Sequence, residues 1–140
     1  MSTLSNVLDI SASALSANRF WLERISNNLA NATTTRGPDG APYRREIPIF
    51  SEILRQEVEG GQEVPLGVQA TGVVKDNSPF PRIYNPGHPH ADAQGFVTLP
   101  NVNVVTEMVD MITASRTYEA NITVSSAAKN MMSKAIEIGK

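Results

Sequence analysis

Cysteine is absent from the 140 residues, which excludes disulfides and thiolate metal sites and leaves the redox compartment open. Aromatic side chains are scarce, at 6%. The apolar content is therefore mostly Ala, Val, Leu, Ile and Met, a supply suited to long helical surfaces rather than an aromatic-rich core. Charge of neither sign dominates: 12 Lys and Arg stand against 14 Asp and Glu, for a net charge of −2. No stretch clusters Lys and Arg densely enough for phosphate-dominated binding, so nucleic acid is excluded as a partner. No run of about 18 apolar residues is present to span a membrane. The opening MSTLSNVLDISASALSANRF has neither a basic leader nor an unbroken apolar run, and Asp9 interrupts it. A cleaved signal peptide is not expected.

Proline and glycine are missing from both ends. All nine prolines and eight of the nine glycines lie between Gly37 and Pro100; the ninth glycine is Gly139. The chain divides accordingly into an N-terminal helix (1–34), a Pro/Gly-rich middle (35–100) and a C-terminal helix (101–140). The expected fold is mainly α, with two long terminal coiled-coil-like helices flanking a small, irregular middle of short β-strands.

In the first helix Leu8, Leu15, Leu22 and Leu29 recur every seven residues, interleaved with Leu4, Ser11, Asn18 and Ile25. This is an a/d seam of period 3.5, in which Ser11 and Asn18 are the polar exceptions that can set register. In the second helix the corresponding seam is Val104, Met108, Met111, Ser115, Tyr118, Ile122, Ser125, Lys129, Met132 and Ile136, broadened by Val105, Val109 and Ile112. Asn101 or Asn103, just after Pro100, is placed to cap it. Each seam side chain stabilises by roughly 1.5–3 kcal/mol on burial, against roughly 1–2 kcal/mol of backbone entropy for every residue ordered. With about one seam residue in four, helices of this kind stand near break-even alone and call for further partners.

The middle offers strand candidates at 43–50, 66–75 and 96–99, with Pro48 favouring an edge or broken strand and Gly37–Gly40 a turn. His88, His90 and Asp92 alternate in NPGHPHAD and would meet a metal only if that segment were extended, whereas Pro89 and the surrounding turn signals point to a rigid loop with locally bonded imidazoles. A metal-dependent hydrolase using His88 and His90 is thus a remote alternative. There is no G-x-S-x-G elbow and no phosphate-cradling glycine loop, and the acidic pairs Glu57/Glu59 and Glu107/Asp110 fall on faces expected to be solvated. No enzyme and no cofactor is expected.

Two polar stretches remain. SNNLANATTT (26–35) crowds Asn27, Asn28 and Asn31 around Leu29, at a helix end where stability alone would favour Ala, Glu or Lys. ASRTYEAN (114–121) is, from spacing alone, an exposed flank with an ordinary Arg116–Glu119 attraction, or else a polar contact that fixes register between subunits. SNNLANATTT resembles the Asn-rich signature of the bacterial flagellar axial proteins, the subunits of rod, hook and hook-associated segments. GPDGAPYRRE (37–46) and YNPGHPHADAQGFVTLPNVNVVTEMVDMITASRTYEANI (84–122) resemble the proximal-rod branch of that family. The Pro-Asp-Gly insertion after Gly37 also favours that branch. Position 90 is often acidic in the family, and His90 departs from that pattern.

The resemblance implies a structural subunit of the basal-body proximal rod that polymerises through its terminal helices into the drive-shaft tube crossing the periplasm, with the middle outside. It implies copies of itself, other rod subunits and the flagellar type III export apparatus as partners, with export occurring without a cleaved signal. The expected assembly residues are Leu8, Leu15, Leu22, Ile25, Asn27, Asn28, Leu29 and Asn31 in the first helix. In the second they are Met108, Met111, Ser115, Tyr118, Glu119, Asn121, Ile122, Met132 and Ile136. The Asn amides would bridge to neighbouring backbones, adding direction to the burial of Leu29. The competing expectation is a soluble coiled-coil export chaperone or regulator.

Overall fold

Each end of the chain that lacks helix breakers forms a single helix. The computed structural model describes residues 2–56 and 63–138, so the Glu57/Glu59 pair lies outside the described residues. Helix α1 spans Ser2–Ala30 and helix α2 spans Val104–Ile138. Between them run β1 (Glu46–Gln56), β2 (Glu63–Lys75), β3 (Arg82–Tyr84) and β4 (Phe96–Thr98). Asn103 is the cap of α2: its Oδ1 accepts the Thr106 N–H at 3.1 Å. At the other boundary, Asn31 closes α1 by donating both its backbone N–H (3.1 Å) and its side-chain Nδ2 (2.9 Å) to the carbonyl of Asn27.

The last turn of α1 meets the first turn of α2 through Asn28 and Glu107, and Ala17 and Asn18 share a cleft with Thr117 and Asn121. The helices are therefore antiparallel neighbours. The central β region packs against α1 through both β1 and β2. β1 and β2 form one antiparallel ribbon, and β3 and β4 form a second, smaller one. The fold is thus mixed α/β, two helices flanking a central β region, rather than mainly α. The strand expected at 43–50 starts at Glu46 and continues to Gln56, and Arg82–Tyr84 is a strand beyond the three candidates. Pro48 does not break β1. The Asp76 N–H bonds the Arg45 carbonyl at 2.8 Å, and counting the antiparallel alternation from there puts the missing N–H of Pro48 on the outer edge of the ribbon.

The stripe of α2 turned away from solvent runs through Glu107, Met111, Ala114, Tyr118, Asn121, Ser125, Ala128 and Met132. The spacing alternates by four and three, as expected, but half of the stripe is displaced by one residue. Glu107, Asn121 and Ala128 occupy it in place of the expected Met108, Ile122 and Lys129, which are exposed, and Ala114 is buried beside the half-buried Ser115. Small residues supply the reason: Ala114 and Ala128 on α2, with Ser11, Ala17 and Asn18 on α1, are all buried and let the backbones come close. The larger apolar side chains of α2 are left outside, Met108 at 54% exposure and Val105 at 71%.

Candidate assembly surface and the junction behind it

The end of α1, the start of β1 and the start of α2 converge on Asn28, which is 1% exposed. Its Nδ2 donates to the Glu46 carbonyl (3.0 Å) and to Glu107 Oε2 (3.1 Å). Its Oδ1 accepts the Tyr43 hydroxyl and the Glu46 N–H, both at 2.9 Å. Two donors and two acceptors is the full capacity of a side-chain amide, so Asn28 is saturated inside its own subunit. Glu107, 0% exposed, has a charged partner: Arg45 Nε donates to Oε1, and Arg45 Nη2 lies 3.5 Å from Asp110 Oδ2. Its place in the first turn of α2 also sets a negative charge at the positive end of the helix dipole. Arg24 completes the junction, its Nη1 donating to Glu46 Oε2 at 3.1 Å.

A second layer braces the first. Asn101 Oδ1 accepts the Arg45 N–H at 2.8 Å, while its Nδ2 donates to the carbonyls of Asp76 and Ser78. Arg44 reaches the same two carbonyls and lies over the Phe80 ring at 4.2 Å. The three chain segments that enter and leave the β region are thus tied to one another at the base of the helix pair. Burial, followed by the nearby Glu46 carboxylate, pushes the Tyr43 phenol up to about 12.

Residues 85–96 form a separate, locally closed loop. Asp92 Oδ1 accepts the N–H groups of Gln94 and Phe96, both at 2.9 Å, and its other oxygen pairs with Arg82. The Phe96 N–H above all holds the Asp92 carboxyl below its ordinary range. One imidazole has a local partner and the other a distant one: the His90 N–H donates to His88 Nδ1 at 3.0 Å, whereas His90 Nδ1 lies 2.7 Å from the hydroxyl of Thr35, 55 residues away. Among the described residues no three His, Cys, Asp or Glu gather where they could hold a metal ion. No helix among them is long and apolar enough to cross a membrane.

The expected assembly residues divide by position. Ile25 and Asn28 are buried, while Leu8, Leu15, Leu22, Leu29 and Asn31 are half-buried along α1. Met111, Ser115, Tyr118, Asn121 and Met132 are half-buried along α2. Asn27, Met108, Glu119, Ile122 and Ile136 are exposed. Beside Met108 stand Val104, Val105, Val109 and Ile112, also exposed, so the start of α2 carries one continuous apolar face outward while Glu107, on another side, is covered by the subunit itself. Sequence reasoning missed Tyr43, Arg45 and Glu107 as junction residues. The available signal was an acidic residue inside an otherwise apolar helix start, together with a second Arg beside the first in YRRE.

Two family models match the ends of the chain. One, described as flagella basal body rod protein, covers residues 8–38. The other, described as flagellar basal body rod FlgEFG protein C-terminal, covers residues 93–138. Over nearly its whole length the chain is similar to the flagellar basal-body rod protein FlgC of Bacillus subtilis, at 40% identity over 99% of each chain. It is similar to FlgC of Borreliella burgdorferi at 42% identity, over 96% of this chain and 97% of the relative. FlgC of Salmonella typhimurium is 42% identical over 98% of each.

Proposed function

The chain belongs to the FlgC family of flagellar basal-body rod proteins, non-enzymatic structural subunits that polymerise into the rod, and we propose that it does so through the outward faces of α1 and α2. The observation that carries this reading is the uncovered apolar face at the start of α2: Val104, Val105, Met108, Val109 and Ile112 stand exposed side by side on one flank of a helix that is packed on another. Five large apolar side chains exposed on one continuous face mark a protein–protein contact rather than a solvent face.

In the assembled rod the two helices pack with those of neighbouring subunits in a coiled-coil-like inner tube, and the β region lies outside. Met108, Ile122 and Ile136 supply apolar contact, while Asn27, Glu119 and the rim of Asn121 supply directional polar contact. The buried members of the expected set, Ile25 and Asn28, act one step back by holding α1, α2 and β1 in the arrangement that presents those faces. The half-buried Leu8, Leu15, Leu22, Leu29, Asn31, Met111, Ser115, Tyr118 and Met132 sit at the margins, where a neighbour can complete their burial. The partners are further copies and the other rod subunits, in the periplasm, reached through the flagellar type III export apparatus.

The test is a pair of charges placed on the exposed face. Val105→Asp with Val109→Asp should change subunit stability by no more than about 0.5 kcal/mol, as surface substitutions do. It should nevertheless abolish incorporation into isolated basal bodies and, with it, motility. Normal rods built from the double variant would overturn the proposal.

A further inference from the structure

The β1–β2 ribbon is attached to the rest of the subunit at two places of unequal strength. At its base Glu46 is held by Asn28 and Arg24, and Arg45 by Glu107 and Asn101. Farther out, its one side-chain hydrogen bond to α1 among the described residues runs from the Val68 N–H to Ser13 Oγ, at 3.2 Å. Gly67 fits there because it is glycine: its φ is +141°, and a Cβ would stand 2.1 Å from Ser13 Oγ.

Between the two attachments the register slips. Ile49 opposes Gly72 and Phe50 opposes Ala70, leaving Thr71 as an extra residue beside a glycine with open space around it. A bulge next to glycine is where a two-stranded ribbon bends most easily. Under the outer part of the ribbon is a cleft of about 320 Å³ lined by Trp21, Phe50 and Val68, with Asn18 and Asn121 at its edge. Ile49, Phe50 and Leu54 remain exposed on the ribbon itself. The base is tightly bonded; the outer seat is loosely filled.

From this we infer strap exchange, an inference that rests on the polymerising role proposed above. In the polymer the outer ribbon, residues 50–56 and 63–70, pivots at Thr71–Gly72, leaves its own α1 and seats on the α1 of a second copy, repeating the Gly67–Ser13 approach between chains. The occupant is a second copy because the seat already fits this ribbon, and every copy carries the same one. Like contacts replace like contacts, so the exchange itself is cheap. Each subunit gives one strap and receives one, a head-to-tail relation that need not close and so extends as a helix.

The absence of cysteine makes the test clean. Single variants Ser13→Cys and Gln69→Cys are mixed in equal amounts, concentrated until assemblies sediment, and treated with a short bismaleimide. The expected result is a heterodimer, linked from position 13 of one chain to position 69 of the other, in the pellet and none in a dilute mixture. In dilute solution the double variant instead links within one chain. Gly67→Ala in the Gln69→Cys chain should remove the heterodimer, because its Cβ collides with the seat. A pellet without heterodimer, in which the double variant links only internally, overturns strap exchange and leaves the assembly reading standing. Undiminished heterodimer from the Gly67→Ala chain also overturns it. Failure of the unsubstituted chain to form any sedimenting assembly also overturns strap exchange between copies, while assembly restored by other rod subunits would leave the polymerising role standing.

Discussion

A side-chain amide that fills all four of its hydrogen-bonding sites within one subunit cannot be replaced without stranding its partners. Asn28→Ala would leave the Glu46 N–H, the Tyr43 hydroxyl and one oxygen of Glu107 without it, at a junction where Glu107 is fully buried and Tyr43 and Glu46 are half-buried. At roughly 1–3 kcal/mol for each buried group left unsatisfied, the expected loss is about 3 kcal/mol, read as a lower urea midpoint at unchanged slope. A midpoint within error of the parent would show that water enters the junction and restores the bonds. Tyr43 gives the same site a pH signature. Its folded pKa is raised to about 12 from 10.0, so the folded state holds the proton more tightly than the unfolded chain. Its contribution is fully present below pH 10 and is lost as pH climbs towards 12. Tyr43→Phe should lower stability at neutral pH, by loss of the bond to Asn28, yet flatten the decline between pH 10 and 12. An unchanged alkaline slope would assign that decline to other groups.

Among the elements, the β3–β4 ribbon depends on one glycine. Gly95 has φ +80°, and a Cβ there would stand 2.8 Å from the Tyr84 ring and 3.2 Å from Pro86. Gly95→Ala should therefore part Tyr84 from Phe96, whose rings meet edge to face at 5.4 Å, and speed exchange of the Asn85 amide, which bonds the Gly95 carbonyl. Exchange at the α1 amides should stay as it was, since that helix is bonded elsewhere. The distribution of proline and glycine made the two helices legible, because helix breakers act through local backbone geometry. The long β1–β2 ribbon was less legible: its extent is set by pairing between distant segments, and whether Pro48 breaks a strand depends on which edge its missing N–H faces. The seam of α2 was legible in period but not in phase. Hydrophobicity selected Met108 and Ile122, whereas close helix approach selected Ala114 and Ala128, and the partners of Glu107 lie more than sixty residues away in the chain.

Taken as a whole, the subunit covers its two helices unequally. α2 has 35 residues and α1 has 29, so at 1.5 Å per residue α2 is longer by roughly 9 Å. In the antiparallel pair that excess falls at the end of α2, where Ser133–Ile138 are all exposed and Ile138 reaches 86%. The sequence predicted helices too thinly apolar to be stable alone, and the fold answers this only in part: the junction fixes one end of the pair, and the other end has no cover from the described residues of its own chain. Removing residues after Met132 should accordingly change the unfolding free energy of the dilute subunit, measured by urea titration, by no more than about 0.5 kcal/mol, because no buried side chain is lost among the described residues. The same truncation should weaken assembly, since Ile136 and Ile138 would then be absent from the face offered to neighbours. In the intact chain the amides of residues 133–138 should exchange rapidly in dilute solution and become protected on polymerisation. Slow exchange there in the dilute subunit would mean that the fold covers this end by itself, and that its exposed isoleucines are not held in reserve for another subunit.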